Sequence, residues 1–354
     1  MRILHTADLH LREHEDERWK TLESLIQTAK EKKVDIFAVS GDLFDKGVDA
    51  EKLRPRIRQV LSHNPFKIVI IAGNHDRKSF QKGLDFGKNV EVMTGLQSPV
   101  EWEGIKIWGM PFEPLQGEEL LRKLRAWGRK LSPECANILL FHGELLDVFF
   151  THKDFGDEEE ERYMPVKLSY FDGLPLDYVL GGHFHSNFDI RRLSNRGYFV
   201  YSGSPVSITQ RELGQRKVNL FELGKPPTEF LLDTPHFEKV EIEFDPFREK
   251  SPLKTVEERL RSLHSKAKVI LEISGFINGE AIGLTETQLR EEIEKRVQEK
   301  CVGIPQFKFR DIRMILEEDL FRHFEKRLEK EGLEEKEKKQ MRDIAIQAMM
   351  KAKE

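Results

Sequence analysis

Cysteine is scarce. The chain holds two, Cys135 and Cys301, far apart and outside any C-x-x-C spacing, which excludes a disulfide scaffold and a cysteine-ligated zinc site. Tyrosine and tryptophan are few, at 5 and 4 residues, and no aromatic-interleaved strand offers a stacking platform for single-stranded nucleic acid. An excess of positive charge is also missing. Lys and Arg number 58 against 62 Asp and Glu, a net charge of −4, which excludes a uniformly basic coat but leaves room for a local basic groove. No apolar run is long enough for a signal peptide or a membrane span, so a cytoplasmic protein with no membrane partner is expected. There is no internal repeat, and the acidic run 157–161 is the one low-complexity stretch.

What the chain does have is 24 Phe, a 34% charged share, and 354 residues, enough for buried cores in more than one domain. The first 235 residues alternate short apolar runs with amphipathic stretches. Ile3–Ala7, Ile36–Ser40, Lys67–Ala72, Ile138–Phe141 and Tyr178–Leu180 read as buried strands. Glu17–Lys32 and Glu51–His63 read as helices between them. Strand–helix alternation implies βαβ units and a mainly parallel sheet. A strand-rich section runs through Val100–Met110, Phe188–Leu193, Tyr198–Tyr201 and Lys217–Leu223, with turns at Glu103-Gly104 and Asn195-Arg196-Gly197. The reading is an α/β fold of two sheets flanked by helices.

Composition shifts near Asp233-Thr234-Pro235. Beyond it, strands at Lys239–Phe244, Lys268–Ser274 and Gln306–Arg310 and helices at Val256–Ser265 and Glu286–Glu299 suggest a small α+β domain. From Leu316 the pattern is helical and highly charged. Leu316, Leu320, Phe324 and Leu328 recur every four residues, Gly332 interrupts, and Met341, Ile344, Ala345, Ala348 and Met349 form a second stripe, as in a helical hairpin. The expected domains are 1–235, 236–313 and 314–354.

Five polar motifs each follow an apolar run: Asp8-Leu9-His10, Gly41-Asp42, Gly73-Asn74-His75-Asp76, His142-Gly143 and Gly182-His183-Phe184-His185. If the runs are parallel strands, all five emerge at the carboxyl ends, the rim where open α/β sheets bind ligands. Asp8, His10, Asp42, Asn74, His142, His183 and His185 offer carboxylate, amide and imidazole donors and no thiolate. That set suits Mn, Fe or Zn rather than structural zinc or copper(I). Seven donors exceed one tetrahedral ion and match two divalent metal ions sharing Asp42. Such a pair can drive an in-line displacement at phosphorus. Each motif alone is common, and lone histidines at strand ends are more often core or surface residues. The five in this order carry the reading.

This order resembles the calcineurin-like metallophosphoesterase superfamily. More narrowly, His-Thr-Ala-Asp-Leu-His-Leu, Ser-Gly-Asp-Leu-Phe-Asp and Ala-Gly-Asn-His-Asp are similar to SbcD-type nuclease subunits of double-strand-break repair complexes. The resemblance implies a two-sheet metallophosphoesterase sandwich with a small α+β cap that binds DNA and a C-terminal helical partner-docking tail. It implies that Asp8, His10, Asp42 and His185 hold one metal and Asp42, Asn74, His142 and His183 the other, with Mn2+ the expected ion. A metal-bound hydroxide would attack the phosphodiester. His75 would assist as the catalytic histidine over the scissile phosphate, and Asp76 would stabilise the loop. Many members carry a further active-site histidine three residues after the bridging aspartate. Here that position is Asp45, and an anion there would not stabilise phosphate charge.

The function implied is a manganese-dependent DNA nuclease, a 3′–5′ exonuclease and single-strand endonuclease acting on DNA ends, hairpins and single strands. Its implied partner is an SMC-like, SbcC-type coiled-coil ATPase, and its place the nucleoid. Between residues 191 and 217, Arg191, Arg192, Arg196, Arg211, Arg216 and Lys217 stand against Glu212 alone, and flank the His183/His185 motif. They are the expected DNA-binding residues. Leu316, Leu320, Phe324, Leu328, Met341, Ile344 and Met349 are the expected partner-binding residues. A homodimer is expected through Leu53, Ile57, Val60 and Leu61 with Phe80 and Leu84, although these also read as ordinary core. Two other functions stay open. One is a small-molecule phosphodiesterase or phosphatase of the same superfamily, which leaves the basic segment and tail without a use. The other is a non-catalytic DNA-end-binding scaffold, against which the intact ligand set argues.

Overall fold

The computed structural model describes residues 1–80, 85–147, 164–247, 251–298 and 300–353. Leu84, the acidic run 157–161 and Glu299, the last residue of one expected helix, lie outside them. The chain divides into two compact units, Met1–Phe237 and Glu238–Glu354. No helix among the described residues is long and apolar enough to cross a membrane.

The first unit runs β1 (Arg2–Thr6), α1 (Glu17–Glu31), β2 (Ile36–Ser40), α2 (Ala50–Leu61), β3 (Lys67–Ile71), β4 (Val90–Met93), β5 (Val100–Trp102), β6 (Ile105–Met110), α3 (Gly117–Gly128), β7 (Ala136–His142), β8 (Tyr178–Gly182), β9 (Asp189–Arg192), β10 (Tyr198–Tyr201), β11 (Lys217–Glu222) and β12 (Glu229–Leu231). Two six-stranded sheets result, ordered β12-β11-β1-β2-β3-β4 and β5-β6-β7-β8-β10-β9. Strands β1 to β4 are parallel, as are β6, β7, β8 and β10. The outer strands β11, β12, β5 and β9 are antiparallel additions. The expected two-sheet architecture flanked by helices is therefore present.

The apolar runs have a physical reason. Alternate residues of one strand enter different cores. Ile36 and Ala38 of β2 face Ile138, Leu140 and Leu180 between the sheets. Phe37 and Val39 face Trp19, Leu22, Leu25 and Ile26 of α1 in an outer layer. A strand buried on both faces must be apolar throughout, as parallel strands are. Asp16 caps α1 by accepting from the Arg18 amide. At Glu103-Gly104 both residues have positive φ, +44° and +85°, which is why β5 and β6 form a tight hairpin rather than one strand. Leu53, Ile57, Leu61, Val60 and Phe80, expected at a homodimer contact, pack into this unit's own outer core.

In the second unit a sheet ordered β13 (His236–Phe244), β14 (Ala267–Ile277), β15 (Gln306–Asp311) shares one core with α4 (Pro252–Arg261) and α6 (Glu286–Val297). A short α5 (Gly279–Ile282) follows β14, and Thr285 and Gln288 form a capping box at the start of α6. The C-terminal helices are α7 (Arg313–Leu316), α8 (Asp319–Leu328) and α9 (Glu335–Lys351). They have a small core of their own, in which Ile312, Ile315, Phe321 and Ile346 meet Phe276, Leu316, Phe324 and Met349. The stripe expected to face a partner is thus divided. Leu328 is buried and Leu316, Phe324 and Met349 pack inward, while Leu320 is 69%, Ile344 68% and Met341 42% exposed. A four-residue spacing drifts by about 40° per step around an α-helix, so Leu320, Phe324 and Leu328 cannot share one narrow face.

Candidate metal centre

The motif residues sit where β1, β2, β3, β7 and β8 end. The loops after β1 and β2 continue the parallel pairing past the strands: the Asp8, His10 and Leu11 amides donate to the Gly41, Asp42 and Leu43 carbonyls. This zips two ligand loops side by side. Asp8, His10, Asp42 and His183 all hold left-handed backbone, with φ of +57°, +51°, +49° and +92°. Such conformations cost about 1–3 kcal/mol each in non-glycine residues and gather at functional sites. Gly41 is required for a different reason. A Cβ there would lie 2.0 Å from His142 Nδ1, so only glycine lets the imidazole approach.

The structure brings all seven expected ligands together. Ligand atoms of Asp8, His10, Asp42 and His185 lie within 4.8 Å of one another, and all four residues are buried. His10 Nε2 is 3.3 Å from His185 Nε2, two nitrogens turned toward the same small space. A second group forms around Asn74, whose Oδ1 is 2.8 Å from His142 Nε2 and 3.2 Å from His183 Nδ1. Asp42 joins the two. Its buried Oδ2 takes no hydrogen bond and stands 3.5 Å from His142 Nε2 and 3.8 Å from His10 Nε2. A wholly buried carboxylate oxygen among imidazoles, with no donor of its own, is what a bridging cation ligand requires. The donor set fits two divalent cations.

Electrostatics agree. Burial alone would depress the His142 imidazole, but Asp42 and Asp8 outweigh it and raise it to about 9. His185 is likewise raised to about 9, burial being outweighed by Asp8 and Glu212. Burial would raise Asp42, but His142 and His10 hold it well below the usual carboxylate range. Protons on the imidazoles thus offset the carboxylates, and a ligand imidazole must give its proton up. Asp76, which accepts from the Gly73 and Phe44 amides and so ties the ligand loops together, is pushed up to about 7 by burial and by Asp42.

His75 borders the group. Its amide donates to Asp42 Oδ1 at 2.9 Å and its ring stands edge-on to His10. Asp45 Oδ1 is 3.9 Å from His75 Nδ1 and 3.7 Å from His10 Nδ1, while Oδ2 takes Arg12 Nε at 2.7 Å and Arg18 Nη1 at 3.0 Å. Burial would raise Asp45, but His10 and Arg12 hold it well below the usual range. Its negative charge is therefore offset locally by two arginines, and it faces the backs of two imidazoles.

The basic segment is distributed differently from the sequence expectation. Arg216 is 3% exposed, and its guanidinium donates to the carbonyls of His185, Ser186 and Ser204, so it is not available to a nucleic acid. Arg192 pairs with Tyr198, which pairs with Tyr178, five residues before His183. At about 3.3 Å per residue this places Arg192 some 16 Å from the ligand end, and the Arg196 turn lies beyond it. Arg192 lies over the Tyr198 ring at 4.0 Å, and Arg191 is held by Asp189. Arg211 lies between β10 and β11 and Lys217 opens β11, both at the ligand end, with Lys217 paired to Glu229. Exposed Arg77 and Lys78, directly after His75-Asp76, and half-exposed Arg12 lie beside the candidate centre and were missed. Their adjacency to the motifs was the available signal.

A family model described as calcineurin-like phosphoesterase matches residues 1–187. Among solved structures, the TT1561 protein of Thermus thermophilus is similar at 14% identity, covering 61% of this chain and 92% of that one, with a TM-score of 0.40. A dimetal phosphatase from Danio rerio is similar at 10% identity, covering 62% and 91%, with a TM-score of 0.38. GAP50, described as the anchor in the inner membrane complex of Plasmodium, is similar at 13% identity, covering 62% and 80%, with a TM-score of 0.38.

Proposed function

Because the chain belongs to the calcineurin-like phosphoesterase family, we propose that it is a two-cation phosphodiesterase whose substrate is DNA, a nuclease of the SbcD type. The observation that carries the reading is the pair of donor groups joined by the unsatisfied oxygen of Asp42. Asp8, His10, Asp42 and His185 would hold one cation, and Asp42, Asn74, His142 and His183 the other. Divalent ions there supply Lewis acidity toward phosphate and a water of lowered pKa. The mixed nitrogen and oxygen donors favour Mn2+.

The remaining work falls to the chain. His75 Nδ1 faces Asp45, so Nε2 is the end of the ring turned from it. Nε2 carries the proton that the leaving oxygen needs, and Asp45 steadies the imidazolium before transfer. Arg12 and Arg18 keep Asp45 from repelling phosphate. Arg12, Arg77 and Lys78 supply positive charge for a polyanion at the same rim. That charge, with the SbcD-like motifs, supports DNA over a small phosphoester. Cleavage from 3′ ends and within single strands belongs to the same proposal. So does an SMC-like ATPase partner, for which exposed Leu320, Met341 and Ile344 offer apolar contacts.

The test compares linear DNA, cyclic nucleotides and an aryl phosphodiester with Mn2+. DNA is expected to be degraded, and His75→Ala to lower turnover about 10²–10⁴-fold with both cations retained. Hydrolysis of cyclic nucleotides but never of DNA would replace the nuclease reading with a small-molecule one.

A further inference from the structure

The loop between β10 and β11 carries a carboxylate and a guanidinium that are both buried, Glu212 and Arg216, each 3% exposed. Glu212 Oε2 accepts from Ser204 Oγ at 3.0 Å and from the Ile208 amide at 2.8 Å. Oε1 accepts from the Thr209 amide at 3.3 Å, and the same oxygen is 3.4 Å from His185 Nδ1. His185 Nε2, across the ring, is 3.7 Å from Asp8 Oδ1 and 3.3 Å from His10 Nε2. One ring edge thus meets a carboxylate outside the donor set and the other meets the donor set. Arg216 fixes the same residue from the backbone side. Nη2 donates to the His185 carbonyl, Nη1 to Ser186 at 3.3 Å and Nε to Ser204 at 3.0 Å. The Ser204 amide also donates to the His185 carbonyl at 3.1 Å.

Two buried charges are a costly way to hold a loop, and apolar residues of similar volume often do so at least as well. A carboxylate against Nδ1 does what an apolar residue cannot. Standing 3.4 Å from Nδ1, without a formed hydrogen bond, it favours keeping the proton on Nδ1 when the imidazolium gives one up, which leaves the Nε2 lone pair directed at the donor set. We infer that Glu212 and Arg216 are positioning residues for His185: Glu212 selects the tautomer that presents Nε2 to a cation, and Arg216 anchors the His185 and Ser186 carbonyls so that the ring sits where Glu212 and Asp8 both reach it. The inference rests on the two-cation reading and extends it to side chains outside the seven ligands. It also gives Arg216 a role in place of DNA contact.

The test counts Mn2+ by equilibrium dialysis with electron paramagnetic resonance, on wild type and on the isosteric Glu212→Gln variant. Wild type is expected to bind two ions. In E212Q the site that includes His185 is expected to weaken about 10–100-fold, the usual cost of losing such a partner, while the other site keeps its affinity. A loop role alone would lower the melting temperature and leave the ratio of the two affinities unchanged, and that result overturns the inference. A wild type that binds no cation overturns the phosphodiesterase reading with it. A wild type with two ions and an unaltered E212Q overturns the inference alone. If E212Q does not fold, the decision moves to wild-type protein labelled with 15N-histidine and loaded with Zn2+, with His185 assigned by its loss in His185→Gln. A proton on Nδ1 supports the inference, and a proton on Nε2 overturns it.

Discussion

Gly182→Ala perturbs the centre without touching a ligand. Gly182 ends β8 and faces Ser40 at the end of β2, across the gap between the sheets. A Cβ at 182 would fall 1.9 Å from the Ser40 carbonyl oxygen, 2.8 Å from Ala7 Cβ and 2.9 Å from His142 Nδ1. Restoring ordinary separation needs roughly 1–1.5 Å of movement between two close-packed sheets. Overpacking of this kind costs about 1–3 kcal/mol. The Ser40 carbonyl that moves is also the partner of His142 Nδ1, at 2.8 Å. Leaving that buried group unpaired adds about 1–3 kcal/mol. A loss near 3 kcal/mol corresponds to a melting temperature lower by about 6–12 °C in a domain of this size. The assay is thermal unfolding of the cation-free chain beside a Mn2+ titration. The displaced imidazole should weaken the site that includes His142 more than the other. Gly332→Ala is the control, because nothing lies within 4 Å of a Cβ there, and it should shift stability by less than about 0.5 kcal/mol. A Gly182→Ala chain that melts within about 1 °C of wild type and binds both ions would refute the packing argument.

Three further outcomes follow from the same geometry. His142 and His185 are raised to about 9, above their unfolded value, so their contribution to cation-free stability is full below pH 6.5 and is lost as pH rises through 9. Mn2+ uptake at pH 7 should therefore release protons, detectable with an indicator dye, and affinity should climb between pH 7 and 9; a pH-independent affinity would contradict the raised imidazoles. Arg77→Ala with Lys78→Ala should reduce the slope of log K against log salt for duplex DNA by about 0.9 per residue, whereas Arg192→Ala should leave it unchanged; the reverse ranking would return DNA contact to the β9 edge. Leu320→Asp and Ile344→Asp, at exposed positions on α8 and α9, should abolish co-purification with a coiled-coil ATPase while the melting temperature stays within a few degrees; Leu328→Asp should instead unfold the C-terminal helices, because that side chain is 2% exposed.

The sequence alone determined the layers and where the polar motifs fall. Strands buried on both faces have to be apolar along their whole length, so Ile36–Ser40 and Lys67–Ile71 announce themselves, and the residues that end them are the polar ones. Parallel direction then sends every motif to one rim, which groups Asp8, Asp42, Asn74, His142 and His183 from the pattern alone. The short edge strands β4 and β12, of four and three residues, carried too little periodicity to read. What tertiary structure decided was which charges face solvent. Arg192 and Arg216 look alike in a row of residues, yet an antiparallel turn carries one to the far end of its sheet, and a loop folding back buries the other against His185. The same holds for Leu320 and Leu328, eight residues apart on α8, one outside and one inside. Burial of a cation or a leucine depends on what other segments bring to it. That arrangement is a property of the closed core rather than of the local pattern, and in this chain it turned Arg216 from an expected surface contact into a buried guanidinium on the His185 carbonyl, with Glu212 buried beside it.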